Sequence, residues 1–183
     1  MTYKSKVLAE CSMSIALAAV LSFIPLFKFP SGGSVTLACT APLIIFSFKR
    51  GFKWGAISGF IYSLFQLLSG FHFPPSKTIF SFICVIFLDY VFSYSCIGLC
   101  SSARLYFKNK YFQIALAVTI PFIVRLICST VSGMIVWKDY FPQDVPVVVY
   151  SFIYNFSYLF PEFLITALVC FFVIKHLYKN NLY

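Results

Sequence analysis

The chain has 183 residues, of which 61% are hydrophobic, 21% aromatic and only 10% charged, with a formal net charge of +9 and a mean hydropathy of +0.91. Soluble domains carry about 25% charged residues, and the apolar surplus here would form exposed patches that soluble monomers do not tolerate. Disorder, collagen, coiled coil and a disulfide-stapled module fail on the same figures, which leaves one integral membrane domain over residues 1–183.

A spanning helix needs about 20 mainly apolar residues to cross a hydrocarbon core of about 30 Å. In chain order the candidates are Val7 to Phe27, Ser34 to Phe48, Trp54 to Phe71, Thr78 to Ser101, Tyr111 to Val136 and Val147 to Ile174. The second covers only about 22 Å as a helix, so Pro30-Ser31-Gly32-Gly33 is expected to complete its crossing. The first has the basic flank of a signal peptide, but its apolar run is too long and lacks a small-residue cleavage site, so it reads as retained. The pattern is helical or continuously apolar, not the alternation of a β-barrel. The sequence therefore predicts an all-α integral membrane protein with six transmembrane helices. The seven cysteines form no CxxC pair and read as small apolar packing residues.

Ten of the fourteen basic residues fall on alternate connections: Lys4 and Lys6, then Lys49, Arg50 and Lys53, then Arg104, Lys108 and Lys110, then Lys175 and Lys179. The other face has Lys28, Lys77 and Lys138. By the positive-inside rule both termini are cytoplasmic in this multi-pass membrane protein. The positive charge is thus a topological signal, and no basic run is long enough for a nucleic-acid footprint.

No GxxxxGK[ST] loop is present, so any ATP-driven work must come from a partner. HExxH and GxSxG are also missing, and His72 and His176 lie near opposite ends of the topology, so no metal, cofactor or catalytic constellation is expected.

Charge inside a span costs at least about 2.5–3.5 kcal/mol on insertion scales, so embedded charges are functional candidates. Glu10 lies one turn inside the cytoplasmic edge and can pair with Lys6 four residues before it. Asp89, Arg125 and Glu162 lie roughly 17, 17 and 23 Å deep from the outer ends of their spans. Their charges sum to minus one. Arg125 can neutralise either carboxylate, and the other then awaits a proton or a cationic ligand. On the sixth segment Ser151, Asn155, Tyr158 and Glu162 recur at i, i+4, i+7 and i+11, one helical face. On the fifth, Arg125 and Ser129 are one turn apart, and Trp137 ends the segment. Together with Asp89 and Tyr150 these residues describe an outward-open pocket with aromatic faces for a flat or cationic ring and a carboxylate and an amide to fix its edge. Ser12, Ala16 and Ala19 form a smooth small-residue face on the first segment, which suits packing within the bundle or docking of a separate membrane subunit.

These residues resemble the thiamine-specific substrate-binding subunit, or S component, of energy-coupling-factor transporters. The resemblance runs in order through Leu8-Ala9-Glu10 to Ala16-Leu17-Ala18, Phe29 to Leu37 with Pro42, Phe48-Lys49-Arg50-Gly51, Phe87-Leu88-Asp89-Tyr90, Ser132 to Trp137, and Tyr150 to Glu162. It implies a six-helix subunit that binds thiamine near the extracellular side and works with a transmembrane coupling subunit and two cytoplasmic ATPases. It places Asp89 on the aminopyrimidine with Tyr150 and Asn155 assisting, Trp137 stacked on the ligand, and Ser12 and Ala16 against the coupling subunit. The chain also departs from the pattern: Asp89 stands where well-known members have Glu, Ser129 where some have His, and residues 31–34 lack an aromatic found in some members. Another small vitamin or a precursor such as hydroxymethylpyrimidine also fits these departures, and an intramembrane enzyme using Asp89 or Glu162 is the alternative from another class.

Overall fold

The computed structural model describes residues 2–29, 32–76, 78–106, 108–142 and 144–179. Pro30, Ser31 and Lys77, which entered the loop and charge readings, lie outside the described residues. Thr2 opens the first helix by accepting the Ser5 backbone N–H on Oγ1 at 3.4 Å, and α1 runs over Tyr3–Ser22. The expected helical continuation to Phe27 is corrected here. Pro25–Lys28 (β1) and Ser34–Thr36 (β2) form an antiparallel hairpin, so the protein is helical with one small sheet and not all-α. Pro25 cannot donate the next helical hydrogen bond and would clash with the preceding turn. Gly33, at φ +88°, supports the reversal, and the Tyr158 ring passes 2.8 Å from where a Cβ would stand, so only glycine fits.

The second expected span is corrected in the same way. Its helix, α2, covers Ala41–Arg50, about 15 Å of rise; residues 34–36 belong to the hairpin. Pro42 in the first turn fixes the helix start, and Lys49 and Arg50 lie in its last turn, where their charges complement the helix dipole. α3 follows over Phe52–Gly70. The fourth helical rod changes winding along its length: α4 (Ile79–Cys84), a π-helical segment (Val85–Phe92), α5 (Ser93–Ser95), a 3₁₀ stretch (Cys96–Ser101) and α6 (Ser102–Tyr106). The long helices α7 (Lys110–Val136) and α8 (Val147–Lys179) each contain a proline, Pro121 and Pro161.

The main core joins Phe48 at the end of α2, Ile97, Cys100 and Ala103 of the fourth rod, Ile114 near the start of α7 and Ile174 near the end of α8. Dense packing thus gathers at one end of the bundle. At the other end lie the hairpin and residues 71–76 and 137–142. Large apolar side chains cover the outside: Leu68 is 89% exposed, Ile79 80% and Met13 73%, a surface that lipid, not water, accommodates. Among the described residues, Tyr3–Ser22, Ile79–Arg104, Lys110–Val136 and Val147–Lys179 are long and apolar enough to cross a membrane. The described cysteines are free thiols, five of them buried, in line with their reading as packing residues.

Glu10 does not take Lys6 as its partner. Arg50 donates to it from Nε and Nη2, both at 2.7 Å, and Lys49 from Nζ at 3.1 Å. The bidentate fork of Arg50 is the stronger geometry for a carboxylate, and it ties α1 to the end of α2.

Candidate ligand-binding site

A cavity of about 340 Å³ opens between the hairpin, the stretch at His72 and the stretch from Trp137 to Phe141. Asp89, Arg125, Ser129, Trp137, Tyr150, Asn155 and Glu162 all line it, so the seven residues singled out from sequence converge on one space. Ser12, Ala16 and Ala19 lie apart on α1. Ser12 and Ala16 are exposed and Ala19 is half-buried, so the rest of the bundle leaves this face largely open.

Asp89 projects from the π-helical segment. A π-turn widens the helix and shifts side-chain direction, a device that recurs at functional sites. Ser93 Oγ donates to the Leu88 carbonyl at 2.7 Å. Ser132 Oγ of α7 donates to Asp89 Oδ2 at 2.6 Å. A carboxylate has about four lone-pair sites, so Asp89 retains acceptor capacity for a ligand.

Glu162 is committed differently. It accepts from Thr36 backbone N–H at 2.5 Å and Thr36 Oγ1 at 2.7 Å, and Cys39 Sγ stands 3.6 Å away. A buried acid on α8 thus anchors the end of the hairpin, which gives Glu162 a structural task beside its place in the wall. Arg125 makes an ion pair with neither acid; among the described residues the ion pairs are those of Glu10. The Arg125 guanidinium lies over the Tyr94 ring at 4.9 Å from its centroid and donates to Tyr94 Oη at 3.3 Å. The expected Arg125–carboxylate pairing is therefore replaced by a cation–π contact.

The α8 face behaves as its spacing predicts: Ser151, Asn155, Tyr158 and Glu162 are all buried. Asn155 Nδ2 donates to the carbonyls of Ser151 at 2.8 Å and Ser129 at 3.2 Å, while its Oδ1 accepts from Tyr158 Oη at 2.7 Å. Its amide N–H groups are spent on the wall, and one lone pair of Oδ1 is left. Trp137 stacks on Tyr140 at 6.2 Å, and Tyr150 packs on Phe141 at 4.6 Å and Tyr154 at 6.3 Å. Tyr154 Oη donates to the Gly32 carbonyl at 2.7 Å, and Phe29 contacts both Tyr154 and Tyr158. Phe29 and His72 also line the cavity. Sequence reading missed the contributions of His72, Tyr94, Tyr140 and Phe141. For His72, Tyr140 and Phe141 the available signal was aromatic crowding on short links beside the recognised segments, whereas Tyr94 lies within the fourth segment itself.

A helical membrane protein with a polar and aromatic cavity above a packed core has the architecture of a membrane protein with room for a small molecule. Comparison with known proteins narrows this class. The model of the thiamine transporter protein family matches residues 8–181. The thiamine transporter ThiT of Bacillus subtilis (strain 168) is 28% identical over 173 residues, 88% of this chain and 86% of that protein. The structure of ThiT from Listeria monocytogenes superposes with a TM-score of 0.67 at 22% identity, covering 98% of this chain and 96% of that one. The S component for biotin from an ECF-type ABC transporter gives 0.61 at 19% identity, over 98% and 95%. The chain belongs to the thiamine transporter protein family. It is a multi-pass cell-membrane protein of a transport family and not an enzyme, which removes the catalytic reading of Asp89 and Glu162.

Proposed function

We propose that this protein is the thiamine-binding S component of an energy-coupling-factor transporter, a single domain of six membrane helices with both termini in the cytoplasm and the cavity facing outward. The short α2 completes its crossing through the 34–40 segment. Asp89 carries the reading: a half-buried carboxylate with spare acceptor capacity, set between aromatic walls in a chain of the thiamine transporter family. The thiazolium cation lies between Trp137 and Tyr150, whose ring faces attract it by about 0.5–2 kcal/mol each. Asp89 accepts from the amino group of the pyrimidine, and Asn155 Oδ1 offers its remaining lone pair to the same edge. Ser129, with its carbonyl held by Asn155, leaves open wall where a larger residue would close it. Arg125 and Glu162 form the floor.

The chain carries no phosphate-binding loop for ATP, so uptake depends on two cytoplasmic ATPases acting through a transmembrane coupling subunit. The exposed small residues Ser12 and Ala16, with Ala19 beside them, are where that subunit docks. Calorimetry on the detergent-purified subunit tests the assignment. Thiamine is expected to bind one-to-one at micromolar concentration or tighter. Binding of hydroxymethylpyrimidine in its place would reassign the substrate, and failure of thiamine, its phosphates and the pyrimidine alike would remove the vitamin-binding role.

A further inference from the structure

Arg125 poses an electrostatic problem in a cavity built for a cation. A guanidinium beside Asp89 would neutralise the cavity carboxylate with the more acceptor capacity left, and a flexible arginine in a low-dielectric site is drawn to such a partner. Yet the guanidinium rests on the face of Tyr94 and bonds its hydroxyl, with no ion pair to Asp89 or Glu162 among the described residues.

Tyr94 is buried and held against α3. It is 7% exposed. The Tyr62 ring of α3 meets it edge-on at 5.0 Å and 85°, and Tyr62 is itself bonded by Gln66 at 2.5 Å. Its backbone carbonyl stands 2.1 Å from where a Cβ on Gly59 would lie, so α3 presses directly on the residue. Tyr94 follows the π-helical segment that carries Asp89, and one piece of backbone therefore places both the carboxylate and the ring.

We propose that Tyr94 is a positioning residue that holds Arg125 off Asp89 and thereby gives the cavity its preference for a cationic ligand. The inference rests on reading the cavity as a site for a cationic ring compound. A cation–π contact on a rigid, desolvated ring competes with a carboxylate because it needs no reorganisation of the partner, and leaving it would cost Arg125 the ring face and the Tyr94 hydroxyl together. The uncommitted N–H groups of Arg125 stay available to the cavity, and the Asp89 oxygens stay clear of the guanidinium.

Two measurements test this separately from the function itself. In ligand-free protein the Arg125 side-chain N–H resonance, assigned by its loss in Arg125→Met, is expected to be ring-current-shifted upfield, and to return to the ordinary range in Tyr94→Leu. An unshifted resonance in the wild type overturns the positioning role, whatever the protein binds. The second is the ratio of affinities for thiamine and its neutral thiophene isostere. Tyr94→Phe keeps the ring and should hold this ratio within about threefold of wild type, while Tyr94→Leu should lower it by about tenfold or more; adding Arg125→Met to Tyr94→Leu should restore it. A general packing defect would weaken both ligands alike and leave the ratio unchanged, and that result overturns the selectivity role. Should Tyr94→Leu fail to fold, 3,4,5-trifluorophenylalanine in place of Tyr94 weakens the ring face at nearly constant shape and must lower the ratio relative to Tyr94→Phe; an equal ratio overturns the proposal. A wild type that binds neither ligand refutes the proposed function, while the resonance still decides the positioning.

Discussion

Replacing Asp89 by Asn changes the charge of the cavity with almost no change of shape. In the wild type Ser132 Oγ donates to Oδ2 at 2.6 Å. An Asn side chain can keep that bond with its carbonyl oxygen, but it then presents an NH₂ group to the ligand's own amino group, donor against donor. Hydrogen bonds to charged groups contribute about 1.5–3 kcal/mol, and truncating one partner of a buried charged pair costs about 2–5 kcal/mol. A loss of about 2–4 kcal/mol is expected, roughly 30- to 1,000-fold in Kd. Calorimetry with thiamine reads this directly, and Glu10→Gln is the control, since Glu10 sits in the Lys49–Arg50 cluster at the cytoplasmic edge. Glu10→Gln should lower thermal stability by about 1–2 kcal/mol and change thiamine affinity by less than about threefold. Asp89→Asn should leave stability equal or higher, because it removes a charge from a poorly solvated site. Equal effects of the two substitutions on affinity would remove Asp89 from the site.

Three other outcomes follow from the contacts. Glu162→Gln keeps one acceptor for Thr36 and turns the other into a donor facing it; amide hydrogen exchange at Thr36 should accelerate by about tenfold or more while α7 amides stay protected, and unchanged exchange would sink the anchoring role. Gly133→Ala places a Cβ 2.1 Å from Ser151 Oγ, so α7 and α8 must separate, at a cost of about 1–3 kcal/mol. Adding Ser151→Ala should recover part of that loss in thermal denaturation, and purely additive effects would contradict the clash. Ala16→Leu enlarges an exposed position of α1; uptake by cells that express the coupling subunit should fall at least tenfold while calorimetry on the isolated subunit is unchanged, and intact uptake would move the docking face elsewhere.

The helices were legible because apolar run length is a direct physical demand of the bilayer. The α8 stripe was legible because Ser151, Asn155, Tyr158 and Glu162 share one face at helical spacing, and all four are buried where that face meets its neighbours. The embedded charges were legible from depth alone. Features that depend on a partner distant in sequence were not. Leu26 and Phe27 read as more of the first span, and only the reversal at Gly33 and the Glu162 anchor at Thr36 reveal a hairpin. The π register around Asp89 is a choice between backbone bonds of similar composition, which apolar periodicity does not distinguish. Arg125 looked destined for a carboxylate because charge pairing is the simplest neutralisation; Tyr94 offered a face that no spacing rule marks. Glu10 took Arg50 over Lys6 because a bidentate fork across two helices outcompetes a single i, i+4 contact.

The central claim is that this cavity binds thiamine against Trp137. The chain has two tryptophans, and Trp54 packs near Val7, Cys11 and Phe46 at the core end, so Trp54→Phe leaves Trp137 as the sole reporter. Titrating thiamine into that variant should quench its fluorescence saturably with one-to-one stoichiometry at micromolar concentration or below. No quenching, and no heat of binding in the wild type at the same concentrations, would contradict the account.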